Sequence, residues 1–232
     1  MTSSLSVIRR QGAGRPVVFL HGLASSGIRD WPEAEWRGLL GDRPMAVVDL
    51  PAHGASPSLG AARTSSVVDA LASAAGEEEI DLVGYSLGAR LAWDLAQHPS
   101  VRVRRVVLGG LAAEEPFAVV DLEAARAALA GGAPPADPLT TMILHMVSLP
   151  GNRPAELLDL IEGLAAEPFD AASAAPMQPV LLVGGVDDGM TAGIADLAAL
   201  LPDARVERVP GDHLTALHSP EFRALTASFL AD

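Results

Sequence analysis

Short apolar segments alternate along most of this chain with longer amphipathic ones. The apolar segments predict seven β-strands, at residues 5–9, 17–21, 45–49, 80–83, 101–108, 180–184 and 204–209. Apolar residues at helical spacing predict helices at residues 30–40, 65–75, 86–97, 191–201 and 221–231, with Asp30 as the N-cap of the first. Nearly continuous apolar strands that alternate with helices are typical of an α/β fold, a mostly parallel, doubly wound sheet with helices on both faces.

This alternation stops between residues 111 and 175, where no strand pattern occurs. Helical patterns cover residues 121–130, 139–149 and 154–166, separated by breaks rich in glycine and proline. The pattern at 139–149 is apolar nearly all round, so we expect that helix to be covered on more than one side. Ligands bind parallel sheets at the carboxyl ends of the strands, so an insertion after one strand predicts a lid over the site. The predicted organisation is a core of residues 1–110 and 176–232 with a helical cap at 111–175.

The pentapeptide Gly84-Tyr85-Ser86-Leu87-Gly88 joins a predicted strand to a predicted helix. A G-x-S-x-G pattern in this context is typical of a nucleophile elbow, a sharp turn that presents a serine hydroxyl. The glycines let the strand and the returning helix pack closely. Ser86 would then lie at a helix N-terminus, where the N–H of Leu87 faces a developing oxyanion. Ser86 is therefore the candidate nucleophile.

A serine hydroxyl needs a base to activate it, and the base needs an acid to orient it. Two carboxylates, Asp187 and Asp188, directly follow the apolar strand at 180–184. The strand at 204–209 is followed by a turn and His213, which we expect to be the base. His218, five residues further on, is the alternative base.

The second oxyanion donor is expected in the loop after another strand. In the loop that begins at His21, Gly22 lets the backbone approach closely, and the N–H of Leu23 would pair with that of Leu87. His21 and His53 each precede a glycine in a loop, and we interpret both as structural. No H-x-H or H-E-x-x-H spacing occurs, so no metal site is predicted.

Five segments resemble, in the same order, the motifs of the α/β-hydrolase superfamily. They are F-L-H-G-L at 19–23, D-L-P-A-H-G-A-S at 49–56, G-Y-S-L-G at 84–88, L-L-V-G-G-V-D-D at 181–188 and G-D-H-L-T-A at 211–216. The resemblance is to the small cap-bearing type, which includes esterases, C–C bond hydrolases and haloperoxidase-like proteins. It covers nearly the whole chain, although the family usually has two strands before the histidine-glycine strand and only one is clear here.

The resemblance implies a Ser-Asp-His order of catalytic residues and no cofactor. By the family's pattern the acid is the third residue after the glycine that ends the strand. Counting from Gly185 gives Asp188, which we take as the acid, and counting from Gly184 gives Asp187 as the alternative. A serine at the elbow argues against epoxide hydrolases and dehalogenases, which resemble this pattern but carry aspartate there.

Composition and charge exclude several other classes of protein. The net charge of −13 argues against nucleic acid and anionic membrane surfaces as partners. Zero cysteines exclude disulfides, thiolate metal sites and cysteine nucleophiles. The first residues lack the apolar stretch of a signal peptide, and no apolar run approaches the length of a membrane span, so we expect a cytoplasmic protein. The sequence gives no indication of oligomeric state.

The expected function is hydrolysis of a small, largely apolar ester or related carbonyl compound. Met142, His145 and Met146, in the apolar helix of the predicted cap, are the candidate substrate-binding residues. His145 has a second interpretation, as a buried and hydrogen-bonded histidine. The sequence leaves open C–C bond hydrolysis, lyase chemistry and acyl transfer with the same triad, and a non-catalytic protein that only binds a small ligand.

Overall fold

The computed structural model describes residues 4–231, which form one seven-stranded sheet flanked by helices. The strands are β1 (Val7–Arg10), β2 (Val17–Leu20), β3 (Met45–Val48), β4 (Glu79–Tyr85), β5 (Arg102–Gly109), β6 (Val180–Gly185) and β7 (Ala204–Val209). Their order across the sheet is β1-β3-β2-β4-β5-β6-β7. β1 pairs antiparallel with β3, and every other neighbouring pair is parallel. The predicted mostly parallel, doubly wound sheet is confirmed.

Nine α-helices lie within the described residues. They are α1 (Gly27–Asp30), α2 (Glu33–Leu40), α3 (Thr64–Ala75), α4 (Leu87–Leu95), α5 (Leu122–Leu129), α6 (Pro138–Val147), α7 (Pro154–Ala165), α8 (Ile194–Ala199) and α9 (Pro220–Ala231). Short 3₁₀ turns occur at Pro116–Val119, Gly189–Thr191 and Ala216–His218. None of these helices combines the length and the apolar character needed to cross a membrane.

Each face of the sheet has its own apolar layer, because successive residues of a strand point to opposite faces. In β2, Val18 and Leu20 belong to one layer, and Val17 and Phe19 belong to the other. The first layer includes α3 and α4, and the second includes Trp31, Trp36 and α9. Both faces are therefore covered, which explains why β2, β3 and β6 are apolar and buried at every position.

The structure corrects the prediction that Asp30 is the N-cap of a helix. The helix begins only at Glu33, after Pro32, and Asp30 ends the separate short helix α1. Its carboxylate accepts a hydrogen bond from the N–H of Gly22 instead. The predicted helix at 191–201 is also shorter, because a 3₁₀ turn precedes α8.

Between β5 and β6 the described chain forms α5, α6, α7 and a 3₁₀ turn, without a strand. We refer to residues 111–175 as the inserted segment. Ile143 and Val147 of α6 are buried, whereas Met142 and His145 are exposed on its other side. The expectation that this helix is covered on more than one side was therefore wrong, and so was the alternative of a buried His145.

Candidate active site

The turn from β4 to α4 holds Ser86 in a backbone conformation that L-residues rarely adopt. Its φ is 52° and its ψ is −117°, and such strain persists only where the surrounding structure enforces it. Gly84 and Gly88, on either side of this turn, must be glycines because other backbone atoms approach them closely. A Cβ at Gly84 would lie 2.4 Å from the carbonyl oxygen of Gly88, and one at Gly88 would lie 2.2 Å from that of Leu20. The crossing of strand and helix thus fixes where the serine hydroxyl points.

Ser86, His213 and Asp188 form a continuous chain of hydrogen bonds. The hydroxyl of Ser86 donates to Nε2 of His213 over 2.9 Å, and the Nδ1–H of His213 donates to Oδ2 of Asp188 over 2.9 Å. Asp188 is buried, whereas Asp187 and His218 are exposed. Asp187 forms no hydrogen bond to His213, and His218 forms none to Ser86. Of the alternatives left open by the sequence, the structure brings Asp188 and His213 to the serine.

Two features that hold His213 were not anticipated from the sequence. The hydroxyl of Tyr85, the residue before the serine, donates to the carbonyl oxygen of His213 over 2.7 Å. Burial raises the pKa of this tyrosine, so it remains a donor. Gly110 has a φ of +62°, and a Cβ there would approach both the ring of Tyr85 and Cε1 of His213. The contact between a strand end and a distant loop has no sequence signature.

The loop between β2 and α1, residues 21–26, leaves the N–H of Leu23 free while its neighbours are bonded. The N–H of Gly22 donates to Asp30 over 2.9 Å, and its carbonyl oxygen accepts from Nδ1 of His21 over 2.8 Å. The N–H of Ala24 donates to Nε2 of His53 over 2.9 Å. The Leu23 N–H has no acceptor among the described residues. Leu87, the first residue of α4, has no acceptor within its helix either.

His21 and His53 hold this loop as neutral rings. Nε2 of His21 accepts from the N–H of Leu50 over 3.0 Å, and Nδ1 of His53 donates to the carbonyl oxygen of Pro51 over 2.9 Å. Burial lowers the pKa of His21, and burial together with His21 lowers the pKa of His53 to about 3. A neutral ring keeps one nitrogen free to accept, which is what both backbone contacts require.

A cavity of about 320 Å³ opens above the Ser86 hydroxyl. Its wall is mostly apolar and comes from both the sheet side and the inserted segment. The three predicted substrate-binding residues all line it, together with Leu23 and Leu87. The lining residues of the inserted segment are Leu111, Ala112, Glu114, Pro116, Phe117, Leu139, Met142, Ile143, His145, Met146 and Phe169. No group of three or more His, Asp or Glu in residues 4–231 is arranged to hold a metal ion.

Arg90, on the same wall of the cavity, is engaged by a buried ion pair that the sequence did not reveal. Its guanidinium lies 2.6 Å from Oε2 of Glu115, and both side chains are about 4% exposed. Glu115 also accepts from the N–H groups of Phe117 and Phe169, two aromatic residues that line the cavity. Arg90 further donates to the carbonyl oxygen of Glu167. The pair therefore holds both ends of the inserted segment on α4.

Comparisons with known proteins identify the class to which this chain belongs. The chain belongs to the alpha/beta hydrolase family, whose sequence model matches residues 17–225. The resemblance drawn from the five motifs is thereby confirmed. A curated relative, the 2-succinyl-6-hydroxy-2,4-cyclohexadiene-1-carboxylate synthase of Yersinia pestis, is 47% identical over 88 residues. Those residues make up 36% of this chain and only 31% of that protein.

Solved structures of low sequence identity share the fold over nearly the whole chain. A putative non-heme bromoperoxidase from Mycobacterium tuberculosis is 21% identical with a TM-score of 0.73, covering 100% of this chain and 96% of that one. A thermophilic esterase from Thermogutta terrifontis is 20% identical with a TM-score of 0.74, covering 98% and 93%. At these identities the likeness concerns the fold alone.

Proposed function

We propose that this protein is a serine hydrolase that cleaves a small, largely apolar ester or related carbonyl compound. The observation that carries the proposal is the chain of hydrogen bonds from Ser86 through His213 to Asp188, which opens on an apolar cavity. The strained backbone of Ser86 costs stability, and its alignment with a base and an acid is not needed to bind a ligand. This arrangement therefore argues against a protein that only binds.

The hydroxyl of Ser86 attacks the substrate carbonyl while His213 Nε2 takes its proton. The resulting oxyanion lies between the N–H groups of Leu23 and Leu87, the two donors that are free for it. His213 then protonates the leaving alcohol, and an acyl-enzyme remains on Ser86. Water attacks that acyl group with His213 again as the base, which releases the acid and restores the serine. Asp188 keeps the imidazole in the required tautomer and stabilises its charged form.

The inserted segment acts in this proposal as a cap that determines which acyl groups fit. Its α6 places Met142, His145 and Met146 on the cavity, opposite the nucleophile elbow. Arg90 is the one arginine among the described residues that line the cavity, and Glu115 already neutralises it. Glu114 adds a carboxylate to the same wall. A cavity of this charge favours an uncharged, apolar acyl group over a carboxylate.

The second candidate is lyase chemistry with the same triad, because the Yersinia pestis relative, which is 47% identical over 88 residues, is named a synthase and not an esterase. The same serine and histidine can remove a proton from a substrate instead of forming an acyl-enzyme. The name of that relative contains a carboxylate, and among the described residues that line the cavity the one arginine, Arg90, is already paired with Glu115. Ester hydrolysis is therefore the better supported reaction.

The test is a panel of p-nitrophenyl esters from acetate to octanoate, run beside a β-diketone and a substrate that carries a carboxylate. Ser86→Ala should lower kcat at least about a thousandfold on any ester that the wild type cleaves, with a nearly unchanged melting temperature. A fluorophosphonate should label the wild type and the control Ser73→Ala, in which an exposed serine of α3 is replaced. Labelling of Ser86→Ala would contradict the assignment, and a wild type that is neither labelled nor active would indicate a binding protein.

A further inference from the structure

Asn152 is the only described residue of the inserted segment that hydrogen-bonds to the loop of residues 21–26. Its Nδ2 donates to the carbonyl oxygen of Ala24 over 3.2 Å and to the carbonyl oxygen of Met146 over 3.0 Å. One amide group thus joins the residue next to the Leu23 donor to the end of α6. Asn152 lies in the turn between α6 and α7, where its own N–H donates to the carbonyl oxygen of Leu149.

We propose that Asn152 is a positioning residue, which links the fit of the acyl group beneath α6 to the position of the Leu23 oxyanion donor. The inference rests on the proposed function, since it assigns to the Leu23 N–H the role of stabilising an oxyanion. It adds a route by which the substrate's acyl group, and not only its carbonyl, influences the chemical step.

The loop depends on this contact because Ala24 has an unfavourable backbone conformation. Its φ is +59°, in the left-handed region, which costs a non-glycine residue about 1 kcal/mol or more. Side chains hold the loop on either side of Leu23: Asp30 holds Gly22, and His53 holds the N–H of Ala24. The carbonyl oxygen of Ala24 has Asn152 as its partner. Without that bond, the peptide between Ala24 and Ser25 is free to rotate toward a more favourable conformation.

The other end of the link is set by the cavity wall. Met146, whose carbonyl oxygen receives the second proton of the Asn152 amide, lines the cavity, and so does Met142 one turn earlier. An acyl chain that fills the space beneath α6 keeps the carbonyl oxygen of Met146 in place, and with it the amide of Asn152. A chain that is too short leaves this end of α6 without support, a chain that is too long pushes it outward, and either change alters the position of the Leu23 peptide. Acyl length should consequently alter kcat as well as KM.

The experiment compares two variants with different side effects. Asn152→Asp keeps the shape and removes both donors, and Asn152→Ala removes the side chain without adding charge. The matched control is Arg153→Met, because Arg153 connects the same turn to the carbonyl oxygen of Ser56, outside the loop of residues 21–26. Rates are taken over the p-nitrophenyl ester series and divided by the fraction of active sites that a fluorophosphonate titrates. Amide hydrogen exchange is followed at residues 21–26.

Both Asn152 variants should lower kcat on the preferred ester about tenfold, which is less than the roughly hundredfold loss on deleting an oxyanion donor, while KM changes less than about twofold. The dependence of kcat on acyl length should flatten. An alkyl boronic acid, whose tetrahedral adduct places an oxygen in the oxyanion hole, should bind about tenfold more weakly, in step with kcat. Arg153→Met should leave kcat and boronate affinity near the wild-type values.

Unchanged kcat in either Asn152 variant, or an equal loss in Arg153→Met, would overturn the inference while leaving the hydrolase assignment intact. If the wild type cleaves no ester, the proposed function fails, and the exchange measurement decides the link by itself. Faster exchange at residues 21–26 in both Asn152 variants, but not in Arg153→Met, supports the link. Equal exchange in all three variants rejects it.

Discussion

Asp187 and Asp188 are adjacent carboxylates with different surroundings, because the chain turns sharply after β6. The carboxylate of Asp188 is buried, receives the imidazole N–H of His213 and caps the 3₁₀ turn that follows through the N–H of Met190. Asp187 is exposed to solvent. Of the two, Asp188 is therefore the one positioned to favour the charged imidazole that would form in the proposed reaction.

Asparagine at each position distinguishes the two carboxylates, because it keeps the shape and removes the charge. Asp188→Asn should lower kcat by up to about four orders of magnitude, since the amide favours the wrong tautomer of His213. Asp187→Asn, the matched control, should lose about tenfold or less. Both are measured on a single p-nitrophenyl ester, and a larger loss at Asp187 would refute the assignment of Asp188.

At this scale the sequence located the residues whose type and spacing follow from the chemistry. Ser86, His213 and Leu23 were predicted as site residues because each lies next to a strand end, in an order that resembles a known family, and all three line the same cavity. The contacts of Asp30, Arg90 and Asn152 were not predicted, because each partner lies on a different element. Nothing in a local pattern indicates which distant backbone group a carboxylate or an amide will reach.

Among the elements, α6 determines the proposed acyl preference because it is the helix that lies along the cavity with one side exposed. Met146→Trp enlarges a side chain that lines the cavity and should shift the preferred ester toward shorter acyl chains. Met177→Trp is the matched control, since Met177 is 70% exposed and does not line the cavity. The profile of kcat/KM against acyl length measures the shift. An unaltered profile in Met146→Trp would mean that α6 does not limit the acyl group.

The strands were predicted more accurately than the helices, and the reason is physical. A strand buried on both faces needs apolar residues at nearly every position, so β6 was found within a residue of its ends. The start of the helix predicted at 30–40 was wrong because the carboxylate of Asp30, expected to cap it, bonds to Gly22, and α2 begins at Glu33. The helix predicted at 139–149 is present as α6, but the expectation that it is covered on more than one side was wrong because an apolar residue that lines an open cavity has the same sequence signature as one in a packed core.

In the whole molecule, the ion pair of Arg90 and Glu115 is one of the contacts that attach the inserted segment to α4, beside the packing of Trp93 against Phe169. Breaking a buried pair from one side leaves an unpaired charge and typically costs about 3–5 kcal/mol. Glu115→Gln should therefore lower the free energy of unfolding by an amount of that order. Replacing both residues, as in Arg90→Met with Glu115→Leu, should cost less than Glu115→Gln alone.

Arg126→Met provides the control for this prediction. Arg126 pairs with Asp159 and Glu162 within the inserted segment, at positions that are each more than a third exposed. Exposed pairs of this kind typically contribute about 0–1 kcal/mol, so the variant should unfold near the wild-type midpoint. Urea denaturation measures all four proteins. A double variant that is less stable than Glu115→Gln would contradict this prediction. It would show that the ion pair adds more to the free energy of unfolding than the cancelling of two buried charges.

The architecture of the whole molecule was predictable because strand and helix periodicities alternate through most of the chain and the motifs occur in a fixed order. How the inserted segment is attached was not predictable. Glu115 and Arg90 are 25 positions apart, and neither differs in sequence from an ordinary surface charge. Arg90 is enclosed by the end of α7 and the residues after it, since it donates to the carbonyl oxygens of Leu164 and Glu167, and only the assembled fold brings these groups together.

In the loop of residues 21–26, the backbone N–H and the side chain of Leu23 have different roles. In the proposed mechanism the amide of Leu23 faces the reacting carbonyl, and hydrogen bonds to Gly22 and Ala24 hold the loop on either side of it. The isobutyl group of Leu23 takes no part in those bonds and forms part of the cavity wall. Exchanging that side chain for a larger or smaller one reshapes the cavity without disturbing the donor. Variation at position 23 would thus change which acyl groups fit the proposed site while the proposed oxyanion donor stays the same.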